Sequence, residues 1–148
     1  VAKKQGLIFI DTDLNIEKKC AMKISEIFKN KGEKFFRIEE EKAVLKLLQK
    51  KNCVIALGGG AFMNKTLRES ILNNAISIWL DIDIKILNKR AKWNRKRPLL
   101  KKENKQQKLK ELYAERKNIY KTADHKISCN NLSKENIAKK IITLYEKY

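Results

Sequence analysis

Apolar residues recur along this chain in two rhythms. Short stretches at 7–10, 53–57, 75–80 and 126–129, the first two unbroken apolar runs, read as strands. Between them, apolar positions spaced three and four apart predict helices over about 14–30, 33–51, 64–73, 83–92 and 105–122. Ser133 caps a last helix whose apolar side carries Ile137, Ile141, Ile142 and Leu144. Residues 1–5 read as the end of a helix, with Gly6 as its cap and Gly32 as punctuation further on. Residues 93–104 are polar, basic and contain Pro98, the only proline, and read as a loop. Strands alternating with helices predict an α/β fold, a parallel sheet with helices on both faces. The chain seen this way opens partway through a helix, with no strand before it.

In such a sheet, ligands bind in the crevice at the carboxyl ends of the strands. Two strand ends carry chemistry. Cys53-Val54-Ile55-Ala56-Leu57 runs into Gly58-Gly59-Gly60, a turn without Cβ atoms where backbone N–H groups can approach a ligand. Leu7-Ile8-Phe9-Ile10 runs into Asp11-Thr12-Asp13. Carboxylates two apart on a strand point to one side, so one could hold Mg2+ and the other accept a proton from a hydroxyl. The plainer alternative is that Asp13 caps the following helix. A glycine-lined anion site beside paired acids suggests phosphoryl transfer to a small hydroxylated acid.

Arg37 follows Phe35-Phe36 inside a helix, so aromatics turned to the core leave the guanidinium at the crevice edge. It could grip a carboxylate in two places, with Glu40 fixing its direction at i,i+3, or form only a surface ion pair; the pattern alone leaves both open. Arg116, in Leu112-Tyr113-Ala114-Glu115-Arg116, reads on pattern alone as a solvated arginine, and His125 as the start of a strand. The basic run at 92–108, with Trp93 and Arg97, fits either a nucleic-acid patch or a mobile lid delivering Arg97 to a phosphate.

Composition narrows the classes. At 148 residues the chain suits one domain, and 43% apolar residues are enough for a core. No apolar stretch is long enough to span a bilayer, and residues 1–6 have no signal-peptide core. Cys20, Cys53 and Cys129 are odd in number and form no C-x-x-C pair, as expected of reduced thiols in a cytoplasmic protein. The net charge of +18 comes from lysines scattered through every segment, which points to a solvated surface more than to a nucleic-acid face.

Taken together and in order, these pieces resemble shikimate kinase. The matching residues are Phe9-Ile10-Asp11-Thr12-Asp13 with Ile16-Glu17; Ile24-Ser25-Glu26-Ile27-Phe28; Gly32-Glu33 leading to Phe36-Arg37 and Glu40; Ala56-Leu57-Gly58-Gly59-Gly60-Ala61; Arg97-Pro98-Leu99-Leu100; and Glu115-Arg116 with Tyr120 and Ala123-Asp124. The resemblance covers essentially the whole chain. It implies a three-layer P-loop kinase fold of nucleoside-monophosphate-kinase type, with five parallel strands. It implies a single kinase domain over 1–148 with a lid at 93–108, and transfer of the ATP γ-phosphate to the 3-hydroxyl of shikimate on the route to chorismate and the aromatic amino acids. Mg2+ is the implied cofactor, shikimate and ATP the implied ligands, and a monomer the implied state. By the match, Asp13 is the base at the accepting hydroxyl and Asp11 supports the metal. Arg37 and Arg116 clamp the shikimate carboxylate, and Gly58, Gly59 and Gly60 line its pocket through their backbone. Arg97 reaches the phosphates, and Arg90 and Pro98 line the adenine site.

The resemblance has one large departure. The family opens with a strand and a phosphate-cradling G-x-x-x-x-G-K-[ST] loop, and nothing in this sequence matches it. The expectation is of an N-terminally incomplete kinase lacking roughly 20–30 residues, the size of one strand and loop, whose turnover needs that loop. The absent strand would lie between the one ending at Leu57 and the one ending at Leu80. A smaller departure is Ala21, where the family often has glycine.

Overall fold

A computed structural model describes residues 1–87 and 105–148. A short 3-10 helix, Ala2–Gln5, opens the chain and is closed by Gly6 in the left-handed conformation, φ +63°. Strand β1 (Ile8–Asp11) follows, then helices α1 (Thr12–Cys20), α2 (Ile24–Asn30) and α3 (Gly32–Leu48). Strand β2 (Cys53–Ala56) leads through a 3-10 turn, Ala61–Met63, into α4 (Lys65–Asn74) and β3 (Ile78–Asp81). Residues 84–87 are helical. Helix α5 (Lys105–Tyr120), strand β4 (His125–Ser128) and helix α6 (Lys134–Tyr145) complete the order.

All pairing among the described residues is parallel. β1 pairs with β2 in the register Ile8↔Cys53 to Asp11↔Ala56, and β3 with β4 from Ile78↔His125 to Asp81↔Ser128. These are two separate two-stranded ladders. Among the described residues no ladder joins β2 to β3, the position at which the sequence leads one to expect a further strand.

Two elements depart from the sequence reading. The helical pattern over 14–30 divides at Ala21, which adopts φ +50° and caps α1 while its N–H donates to Glu17 O. Glu17 then accepts from the Ile24 amide at 3.0 Å, and Glu26 Oε2 accepts from the Lys23 amide at 2.8 Å, so α2 starts afresh. The apolar run at 75–80 enters its ladder only at Ile78. Ala75 is still the cap of α4, and Ser77 is engaged by Asp124: its amide and hydroxyl donate to Asp124 Oδ2 at 2.8 and 2.6 Å. Caps at Asn64 and Ser133 form as expected, each accepting an amide of its own first turn at 3.1 Å.

The core is built mainly around α3. One cluster joins Ile16, Ile27 and Phe36 from α1, α2 and α3. A second joins Val44 to Ala61, Phe62, Leu67 and Ile71, with Ile119 and Tyr120 of α5 packed against it. The Tyr120 ring stands edge-on to both Phe62 and Trp79, centroids 6.1 Å apart in each case. Helix α3 thereby holds Arg37 and Glu40 in place, and α5 brings Arg116 toward the same strand ends.

Candidate active site

The site is organised by the glycine turn that follows β2. Each glycine backs onto a different functional side chain. A Cβ on Gly58 would lie 2.8 Å from Asp13 Oδ1 and 3.0 Å from Glu40 Oε1. One on Gly59 would lie 2.8 Å from Arg116 Nη1, and one on Gly60 would lie 2.6 Å from Arg37 Cζ. Real Cβ atoms do not approach so closely, so the turn must be glycine for α1, α3 and α5 to bring their side chains this near to one backbone segment.

Asp11 and Asp13 both arrive here, but not as successive outward positions of one strand. Asp11 ends β1 and is the N-cap of α1, its Oδ1 accepting from the Leu14 amide at 3.1 Å. Asp13 already sits in the first helical turn, so period-two alternation does not apply to the pair. The capping role falls to Asp11. Asp13 Oδ1 is buried and has no hydrogen-bond partner among the described residues. Burial, then the charges of Asp11 and Glu17, push its pKa up, and Arg37 pulls it back only in part.

Arg37 is oriented by two carboxylates. Its Nη1 donates to Glu40 Oε2 at 2.6 Å, and its Nη2 donates to Glu33 Oε1 at 3.1 Å. The Glu40 contact is the i,i+3 pair expected from the sequence, whereas the Glu33 contact is additional. Desolvation acts against the Arg37 charge, yet these partners hold its pKa above the ordinary value. Glu40 is 2% exposed, and its Oε1 is also buried without a partner among the described residues. Burial raises its pKa against the pull of Arg37. The guanidinium also sits 5.3 Å from the ring centroid of Phe36, which is buried as the sequence led one to expect.

The turn is fastened from two sides by residues whose roles the sequence did not announce. Thr12 Oγ1 donates to Ala56 O and accepts from the Gly58 amide, both at 3.1 Å. The Gly58 N–H is therefore used inside the protein. From α5, the Tyr120 hydroxyl donates to Gly59 O at 2.5 Å. Its own pKa is raised, by burial first.

The structure thus brings Asp11, Asp13, Arg37, Gly58, Gly59, Gly60 and Arg116 to one edge. Arg90, Arg97 and Pro98, and 93–104 of the expected lid, lie outside the described residues; 105–108 form the first turn of α5. His125 opens β4, as expected, and its Nε2 lies 2.7 Å from the Tyr148 hydroxyl, away from this edge's residues. Among the described residues no three His, Cys, Asp or Glu side chains form a metal cage, and no helix is long and apolar enough to cross a membrane.

An acid and two guanidiniums converging on a bare backbone turn suit an anionic, hydroxylated ligand. Comparison with known proteins agrees in kind. The family model for shikimate kinase matches residues 1–146. A shikimate kinase of Bartonella quintana is 39% identical over 148 residues, all of this chain and 70% of that relative. One of Persephonella marina is 38% identical over 142 residues, 96% of this chain and 85% of the relative. Among solved structures, a shikimate kinase from Acinetobacter baumannii in complex with shikimate superposes with a TM-score of 0.94 at 33% identity, covering 99% of this chain and 82% of that one. A shikimate kinase from Aquifex aeolicus gives 0.82 at 28% identity, covering 99% and 86%. The two parallel ladders and their helices are thus those of an α/β P-loop kinase, and the chain belongs to the shikimate kinase family, whose members are phosphotransferases.

Proposed function

We infer that this site binds shikimate and ATP and moves the γ-phosphoryl group to the 3-hydroxyl of shikimate. The observation that carries this reading is the glycine turn, with Asp13, Arg116 and Arg37 packed against three successive backbone positions. Shikimate offers a carboxylate for the two arginines and a hydroxyl for the aspartate. In this reading, Arg37 and Arg116 bind the carboxylate through charge-assisted hydrogen bonds. Asp13 accepts the proton of the attacking hydroxyl. Its unpartnered Oδ1 leaves that acceptor site open, and its raised pKa strengthens it as a base. Phosphoryl transfer otherwise needs positioning and positive charge around the phosphate. Arg97 is assigned to the phosphates and Arg90 and Pro98 to the adenine.

The donor set fits Mg2+ of the kind that keeps several waters. Such a site takes one or two carboxylates plus substrate phosphates, not an all-protein cage. Asp11 would hold it, with Asp13 alongside; Asp11 spends one oxygen on its cap and its charge is felt at Asp13. When bound, Mg2+ would supply positive charge that neutralises the phosphates during transfer. The reading includes a single kinase domain over 1–148 with a lid at 93–108, a monomer, and a cytoplasmic protein on the route to aromatic amino acids. It does not include nucleic acid as a partner.

The test is ADP release from Mg-ATP with and without shikimate, on residues 1–148 and on the full-length product of the complete reading frame. Turnover that depends on shikimate, in the full-length protein, is expected. Dependence on a different acceptor, or none in a folded full-length protein, overturns the assignment.

A further inference from the structure

Thr12 lies between the two aspartates of the site and is fully buried. It is not needed as the helix cap, because Asp11 fills that position. Its hydroxyl instead spans to the neighbouring strand, donating to Ala56 O and accepting from Gly58 N, contacts 44 and 46 residues away in sequence. The parallel ladder of β1 and β2 ends at the pair Asp11↔Ala56, because the chain turns into α1 at Thr12. Beyond that rung the backbone of β1 no longer offers partners. The threonine side chain extends the ladder by one rung, donating to the Ala56 carbonyl and giving the Gly58 amide an acceptor.

That rung has a geometric consequence. The Gly58 amide is held by the residue immediately before Asp13, and Gly58 is the position whose Cβ would meet Asp13 Oδ1 at 2.8 Å. A single hydroxyl therefore sets the spacing between the acid and the turn that lines the acceptor pocket. On the other side, Tyr120 holds Gly59 O, so the turn is pinned between α1 and α5. We propose that Thr12 is a positioning residue for phosphoryl transfer, its Oγ1 locking the glycine turn in register with Asp13 without touching substrate. This rests on the reading of Asp13 as the base.

The experiment compares Thr12→Val, Thr12→Ser and Asp13→Asn in the full-length protein, each assayed below its melting temperature and normalised to folded protein. Valine keeps the shape of threonine and loses both hydrogen bonds, while serine keeps the hydroxyl. Thr12→Val should lower kcat about 10- to 100-fold, the effect of a misplacement on the order of 1 Å, with KM for ATP within about twofold. Thr12→Ser should stay within about threefold of the parent. Parental kcat in Thr12→Val, or equal losses in valine and serine, overturns the proposal. If Thr12→Val does not fold, Thr12→Cys takes its place: the thiol hydrogen-bonds weakly, so kcat should fall at least about fivefold below that of Thr12→Ser, and equality overturns the proposal. Parental turnover in Asp13→Asn would instead defeat the base assignment, so the two failures are distinguishable.

Discussion

Arg37 and Glu40, one turn apart on α3, meet at 2.6 Å between Nη1 and Oε2, with Glu40 at 2% and the Arg37 side chain at 32% exposure. The buried acid fixes the direction of the half-exposed base. Arg37→Ala should weaken shikimate binding by about 1.5–3 kcal/mol, the worth of hydrogen bonds to a charged group. Glu40→Ala should weaken it by less, roughly 1 kcal/mol, by releasing the guanidinium. The double variant should cost little more than Arg37→Ala, since Glu40 acts through Arg37. Calorimetric titration of the four proteins checks this, and additive losses would separate the two residues.

Gly60→Ala tests the same guanidinium from the backbone side. The new Cβ would fall 2.6 Å from Arg37 Cζ. A flexible side-chain end moves more cheaply than backbone, so the fold should survive and the arginine should swing away. We expect shikimate affinity to fall about tenfold or more, equivalent to about 1.4 kcal/mol, with only a small change in melting temperature. Lost stability with retained affinity would mean that the backbone, not Arg37, gives way.

Asp13→Asn removes a buried carboxylate whose Oδ1 has no partner among the described residues. Turnover should drop by about 10²–10⁴-fold, the usual contribution of a positioned base, while ATP affinity is kept. The variant should be at least as thermostable as the parent at neutral pH, because burial disfavours the charged form that it eliminates. Equal losses in turnover and ATP affinity would argue against the base role.

Asp124 predicts an acid-sensitive clamp. Burial opposes its charge, but the Ser77 hydroxyl and amide hold its pKa below the ordinary carboxylate value. A depressed folded-state pKa adds stability above the unfolded value, near 3.9, and that contribution is lost as pH falls through the lower folded value. Asp124→Ala should cost about 1–2 kcal/mol at pH 7, because Ser77 loses the acceptor of two hydrogen bonds. The gap between variant and parent should narrow below about pH 4, as read by urea unfolding across pH. A gap independent of pH would remove the ionised clamp from the account.

Ala21 carries a left-handed backbone at φ +50°. That conformation costs a residue with a Cβ about 1–2 kcal/mol, against about 0.4–1 kcal/mol for the extra unfolded-state freedom of glycine. Ala21→Gly should therefore stabilise the protein by roughly 0.5–1 kcal/mol, measured by chemical denaturation; destabilisation would mean that the methyl group packs usefully.

Local features were legible in the sequence because their causes are local. The caps at Gly6, Asn64 and Ser133, the strands ending at the glycine turn and at Asp11, and the Arg37–Glu40 pair all follow from residue type and short spacing. What escaped is long-range or conformational. Alanine is a strong helix former, so nothing in the pattern marked Ala21 as a break. Ser77 looked like part of a strand until Asp124, 47 residues on, claimed its amide. Thr12 read as a spacer between two acids, because the Ala56 carbonyl and Gly58 amide it serves belong to another strand.

The meeting of Arg37 from α3 and Arg116 from α5 at one glycine turn has a consequence for stability. Arg37 and Asp13 belong to the part of the chain built on β1 and β2, while Arg116 comes from α5, which leads into β4. A carboxylate held by both arginines would join these parts as a noncovalent tie. Its binding free energy would then enter the stability of the whole by mass action, about 2.7 kcal/mol at a hundredfold excess over Kd. Amide exchange along β3 and β4, far in sequence from Arg37, should slow on saturation together with that of β1 and β2.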